Sequence, residues 1–188
     1  MGFEYMQAPD GGSVAFRLST RLIDQPDRIM PDDFCEAIIG GAHWLREPQP
    51  DTEIVTAYSG AVAPEAIAAH EAILEDIPGA DMLAIASAKQ LHDDWMESRR
   101  ARISGTHEAM AYAENLLAPL GSGMSLIMVV DGHPPSLSWL GSVAGQRICP
   151  LSVDRFGQCG DLPDLYRDYG INNYSILDAV ARVCIRQQ

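Results

Sequence analysis

The sequence predicts an α/β domain whose sheet is covered by helices on both faces, and three observations carry that prediction. From Pro31 onward, helical and strand periodicities alternate along the chain. The run Ser125-Leu126-Ile127-Met128-Val129-Val130 is apolar almost throughout, the pattern of a central strand buried on both sides. The composition, 47% hydrophobic and 7% aromatic over 188 residues, is that of a folded globular chain with one core.

Residues 1–30 read as an arm and linker. Met1 to Gly12 is polar and turn-rich, Ser13-Val14-Ala15-Phe16-Arg17-Leu18 alternates as a half-buried strand in need of a partner, and the two prolines of Gln25 to Pro31 mark a linker. Residues 31–188 form the domain. Asp32 and Asp33 favour a helix start, Phe34, Ile38 and Ile39 give its apolar side, and Gly40-Gly41 stop it. Thr52 to Tyr58 is rich in β-formers and ends at Gly60, and Pro64 then suits the first turn of a helix running to about Leu74.

Asp81 to Ser87 is the next strand. A long helix follows from Ala88 to about Arg102, with Ala88, Leu91 and Trp95 as its stripe and Glu97, Arg99 and Arg100 on the solvated side. A further helix is expected over Thr106 to Ala118, placing Met110, Ala113 and Leu117 together. After the central strand, Asp131-Gly132-His133-Pro134-Pro135 turns the chain into a short helix starting at Ser136. Arg147 to Val153 is the last strand, and Pro150 puts it at an edge or an irregular position. Two helices close the chain. Leu162, Leu165, Tyr166 and Tyr169 stripe the first, which Gly170 stops, and Ser175-Ile176-Leu177-Asp178 has the form of a capping box for the second.

Charge and motif content exclude several functions. The formal net charge is -13, so a phosphate backbone is repelled over most of the surface and nucleic acid is not an expected partner. Apolar runs are strand-length and the N-terminus has no basic region leading into an apolar one, so no membrane segment is expected and the cytoplasm is the default location. Cys35, Cys149, Cys159 and Cys184 lack any Cys-x-x-Cys or Cys/His ligand spacing and are expected as buried or partly buried free thiols. No phosphate loop, dinucleotide fingerprint, nucleophile elbow or His-Glu-x-x-His occurs, so no catalytic, cofactor or metal residue is assigned.

One ligand position stands out. Asp131 and His133 lie just past the predicted central strand, where open α/β sheets hold ligands, and Ser136 begins a helix whose amides could receive a small anion. The alternative is that these residues only shape a tight turn.

The tail Phe156-Gly157-Gln158-Cys159-Gly160, running into Leu165-Tyr166 and Gly170-Ile171, resembles the C-terminal domain of the transketolase family of thiamine diphosphate enzymes. Within that family it is most similar to the homodimeric pyruvate dehydrogenase decarboxylating component. Further blocks carry the resemblance in order: Arg17-Leu18-Ser19-Thr20-Arg21, Gly60-Ala61-Val62-Ala63-Pro64-Glu65-Ala66, Asp131-Gly132-His133-Pro134 and Ser138-Trp139-Leu140-Gly141. Cys159 departs from the family's usual Ser.

The resemblance implies a three-layer α/β/α domain with a mixed, mostly parallel sheet. It implies that residues 1–30 are the end of a preceding pyrimidine-binding domain. In the family, thiamine diphosphate and Mg2+ are held by an N-terminal domain through Gly-Asp-Gly ending in Asn-Asn, and a Glu on the middle domain activates the cofactor. Gly160-Asp161-Leu162 with Asn172-Asn173 only imitates that motif, being too compressed and lacking the second Gly.

The implied role is therefore non-catalytic: support of the catalytic domains of the same enzyme and association into a homo-oligomer, such as a dimer. Two alternatives are a free-standing docking or regulatory subunit, using the exposed side of the Ala88 to Arg102 helix, and a small-anion-binding α/β domain.

Overall fold

The computed structural model describes residues 2–16, 18–24, 27, 29–49, 52–106, 108–121 and 123–187. In chain order its elements are α1 (Gly2–Gln7), α2 (Asp32–Gly40), β1 (Ala42–Arg46), β2 (Ile54–Ser59), α3 (Ala63–Asp76), β3 (Asp81–Ile85), α4 (Ala88–Ile103), α5 (Tyr112–Leu117), β4 (Ser125–Val130), α6 (Pro135–Ser138), α7 (Gly141–Ala144), β5 (Arg147–Ser152), α8 (Leu162–Asp168) and α9 (Asn173–Gln187).

Among the described residues the strands form one sheet in the order β1-β3-β2-β4-β5. β3, β2, β4 and β5 run parallel, and β1 joins β3 antiparallel, which gives the mixed, mostly parallel α/β fold the sequence led one to expect. All six residues of β4 are buried. Leu126, Met128 and Val130 point into a cluster with Leu91 of α4, Leu117 of α5 and Leu137 of α6. Ile127 and Val129 point the other way, onto Ala66 and Ile73 of α3, Tyr166 of α8 and Ile176 of α9. This alternation explains why β4 reads as an unbroken apolar run, since both of its faces meet helices.

The local stops follow backbone chemistry. Gly170 has φ 66 after the last turn of α8. Its N–H donates to Arg167 O at 3.2 Å, and that of Ile171 donates to Tyr166 O at 2.9 Å, a Schellman closure. Pro150 sits in β5, an edge strand, where its missing N–H costs no interior ladder bond.

Several expectations are corrected. The described residues of Ser13 to Leu18 form no strand, because no partner strand lies alongside them; Arg17 is outside the described residues. The turn-rich start contains the short helix α1. Ile39 is exposed, and α2 buries no residue fully. The helix expected from Thr106 begins only at Tyr112, and Met110 is exposed; His107 is outside the described residues. There the Ala109 carbonyl accepts from Arg102 Nη1 at 2.7 Å, and the chain wraps that guanidinium instead of coiling.

The last helix starts two residues before the supposed capping box. Its cap is Asn172, whose Oδ1 accepts from Ser175 N at 2.9 Å. β1 was not foreseen: Ala42-His43-Trp44-Leu45-Arg46 has no strand alternation, and its pairing with β3 makes it a strand. Cys159 is exposed, while Cys35, Cys149 and Cys184 are partly buried, and all are free thiols. Among the described residues no helix is long and apolar enough to cross a membrane.

One buried group gives a reason to expect acid sensitivity. His70 on α3 is 7% exposed, and neither ring nitrogen has a hydrogen-bond partner among the described residues. Burial pushes its pKa below the usual imidazole range and Arg46 adds to this, while Asp81 and Glu71 oppose it. Asp81, fully buried at the start of β3, accepts from Thr52 Oγ1 and lies 3.6 Å from Arg46 Nε.

Because His70 is held below its unfolded value, the unfolded chain takes up the proton first as pH falls through about 6.5. Stability therefore declines on acidification from neutral pH. Urea-unfolding midpoints followed from about pH 7.5 to about 5.5 should fall, and should fall less steeply in His70→Leu. Equal slopes in the two proteins would remove His70 as the cause.

Candidate functional site

The sheet's connections fix where a ligand could lie. β2 continues through α3 to β3 on one side, whereas β4 continues to β5 on the other, so the chain leaves these neighbouring strands in opposite directions. A crevice opens beyond the carboxyl ends of two such strands. The parallel register pairs Ser59 with Val130, which places Gly60 and Asp131 side by side at its floor.

The approach there is close. Gly60 has φ 88, a conformation that favours glycine, and a Cβ on it would lie 2.2 Å from Asp131 Oδ1, so any larger residue would also have to push that carboxylate aside. The Ala61 N–H donates to Asp131 Oδ2 at 3.3 Å.

Above this floor is a cavity of about 300 Å³. Leu165 and Tyr166 of α8 and Tyr169, just past its end, form its apolar wall, and Ser19, Thr20 and Arg21 of the arm close it from the outside. Arg21 makes the decisive contacts. Its Nη1 donates to Glu65 Oε2 at 2.9 Å and to Ala61 O at 3.1 Å, and its Nη2 donates to Glu65 Oε1 at 3.0 Å. The guanidinium carbon stands 5.6 Å from the Tyr166 ring centre. Glu65 holds the Arg21 pKa above its ordinary value, against the opposing effect of burial. Burial raises the Tyr166 phenol, a shift the Arg21 hydrogen bond opposes and the nearby Asp131 and Glu65 charges reinforce.

Of the residues expected to hold a ligand, the structure brings only Asp131 into this crevice. His133 and Ser136 are exposed and do not line the cavity. Ser136 N donates to His133 O at 3.0 Å within the turn, and α6 is only four residues long.

The glycine-rich tail is placed just as plainly. Asp161 Oδ1 accepts from Asp164 N at 3.1 Å and caps α8, as Asn172 caps α9. Arg155 fastens the tail, its Nη2 donating to Asp168 O and to Asp168 Oδ2 at 2.8 Å each.

Sequence reasoning missed Arg21, Glu65 and Tyr166 as parts of one site. The Arg17 to Arg21 and Gly60 to Ala66 blocks both stood out, but nothing local signals a contact across 44 residues.

No family model matches the sequence, and no curated protein matches it. Solved structures do. The transketolase of Leishmania mexicana matches at 16% identity and TM-score 0.56, covering 80% of this chain and 19% of that one. A split-gene transketolase, an inactive β4 tetramer, matches at 14% identity and TM-score 0.53, covering 79% of this chain and 44% of that one. The transketolase of Campylobacter jejuni matches at 14% identity and TM-score 0.53, covering 76% and 18%. This chain thus spans about a fifth of the length of the Leishmania mexicana and Campylobacter jejuni transketolases and less than half of the split-gene one. What is shared at these identities is the fold, and that fold is transketolase C-terminal-domain-like.

The Gly60 contact gives a direct test. Gly60→Ala should destabilise the protein by about 1–2 kcal/mol from the positive φ alone, with a further loss from displacing Asp131. In the double variant Gly60→Ala/Asp131→Ala the further loss should disappear while the backbone cost stays. Denaturant unfolding of the three proteins measures both parts.

Proposed function

We propose that this chain is the C-terminal, non-catalytic module of a thiamine diphosphate-dependent enzyme of the transketolase and 2-oxoacid dehydrogenase class, closest in kind to the pyruvate dehydrogenase decarboxylating component. It works in the cytoplasm, within a homo-oligomer such as a dimer, supporting subunit association and the catalytic domains that bind thiamine diphosphate and Mg2+. Residues 1–30 connect it to those domains.

The observation that carries this reading is the crevice past β2 and β4. At the position where an α/β sheet offers a ligand site, beside a cavity of about 300 Å³, stands the chain's own Arg21, clamped on Glu65 and Ala61. A module built in this way holds a neighbouring segment in place. The described residues of the arm add to this, since they present apolar side chains to the outside: Leu18 is 87% exposed, Leu22 99% and Ile29 91%. The split-gene transketolase is a precedent, within the same fold, for a part of such an enzyme that assembles with itself and is inactive.

The second reading, a free-standing docking or regulatory subunit, rests on the exposed side of α4, where Glu97, Arg99 and Arg100 face outward. The two differ in what the chain accompanies in its native source. A dedicated subunit co-purifies with a separate catalytic chain at fixed stoichiometry, whereas a module does not.

Calorimetry with thiamine diphosphate and Mg2+ on the isolated chain should show no binding, and sedimentation should show an oligomer. Measurable cofactor binding by the chain alone would sink the proposal, and a monomer at all concentrations would remove the association role.

A further inference from the structure

We propose that the crevice past β2 and β4 is a guanidinium receptor, occupied in cis by Arg21 and open to an arginine side chain of another polypeptide when the arm lifts. The inference goes beyond the reading above and does not depend on it.

The groups around Arg21 have the chemistry such a receptor needs. The Glu65 carboxylate faces the guanidinium fork with both oxygens, at 2.9 and 3.0 Å, which satisfies two parallel N–H donors at once. The Ala61 carbonyl accepts a further N–H at 3.1 Å. The Tyr166 ring, on a residue 7% exposed, offers its face at 5.6 Å. A lysine ammonium, a compact point charge, matches the paired carboxylate oxygens and the aromatic face less well than the planar fork does, so the arrangement favours guanidinium.

Charge points the same way. With Arg21 withdrawn, the Glu65 carboxylate loses its partner beside the Asp131 that lines the cavity. Among the described residues no other cationic side chain lines it, and Arg155 stands 5.6 Å from the ring centre of the lining Tyr169. The net charge of -13 steers cations towards the protein and anions away from it.

The occupant is also removable. Ser19, Thr20 and Leu22, the immediate neighbours of Arg21, are exposed, so of these four residues it is Arg21 whose side chain reaches into the crevice. The Arg21 and Glu65 side chains are themselves 27% and 19% exposed, open enough for exchange without unfolding the sheet. The cavity of about 300 Å³ beside the guanidinium leaves room for the backbone of an incoming segment.

Arg21→Ala frees the site for a test with N-acetyl-L-arginine amide as the probe, followed by amide chemical shifts in the labelled chain. Saturable shifts at Ala61, Glu65 and Tyr166 are expected in R21A. The wild-type chain should need roughly tenfold more probe, because a tethered Arg21 competes at high effective concentration. N-acetyl-L-lysine amide on R21A, and the arginine probe on R21A/E65Q, should each bind roughly tenfold more weakly or not at all.

No saturable shift in R21A, equal binding by R21A/E65Q, or binding of inorganic phosphate in preference to the arginine probe would each overturn the proposal. Should R21A fail to fold, R21K replaces it. That variant keeps a charge but loses the fork, and it must bind the arginine probe more tightly than the wild-type chain does, or the proposal fails.

Discussion

Burial of β4 on both faces, in parallel register with β2, is the constraint from which the rest of the molecule follows. Six consecutive residues with no exposed side chain can be satisfied only if a helical layer covers each side. Each fully buried aliphatic side chain contributes about 1.5–3 kcal/mol, so the loss of either layer would expose half of the strand and cost several times that amount. The same pairing sets Ser59 beside Val130. Gly60 and Asp131 must then meet where the strands end, and the crevice is a geometric result of the core.

The parts of the chain legible in the sequence are those where local pattern and tertiary burial agree. β2, β3 and β4, the helices α3 and α4, and the stop at Gly170 fall where periodicity and turn chemistry place them. The misreadings share one physical origin, which is dependence on a distant partner. Residues 42–46 become a strand because β3 offers an open edge. Ser13 to Leu18 has the alternation of a strand but no edge to pair with among the described residues. Arg102 takes the carbonyl of Ala109 and both oxygens of Glu114, and so turns an expected first helical turn into a loop. The site divides in the same way. Asp131 is legible because it follows a central strand, whereas the Arg21 clamp joins two segments that carry no sign of each other.

Arginine is this protein's long-range fastener. Arg21 ties the arm to α3, Arg46 ties β1 to the start of β3, Arg102 ties the end of α4 to α5, and Arg155 ties the segment after β5 to the end of α8. The Arg21, Arg102 and Arg155 pairs are partly exposed on both sides and each adds little net stability, whereas the Arg46 pair has a fully buried partner in Asp81. Their value is geometric, since a forked donor fixes orientation as well as distance. With 13 basic residues against 26 acidic ones, this use of cations leaves an acidic exterior. That surface would repel polyanions and draw in cationic groups.

The tail from Phe156 to Ile171 shows why a glycine-rich turn before a helix does not by itself make a phosphate site. Such a site needs free amides and an excess of positive potential at the helix start. At α8 the Asp164 amide already donates to Asp161, and both residues bring negative charge to the first turn. A phosphate would have to displace one carboxylate and tolerate the other. The tail therefore acts through Tyr166, which it carries from an exposed loop into the core, where the ring becomes one wall of the crevice that Arg21 fills. A segment with the look of a ligand grip thus contributes an aromatic face to a site whose charge comes from α3 and from the end of β4.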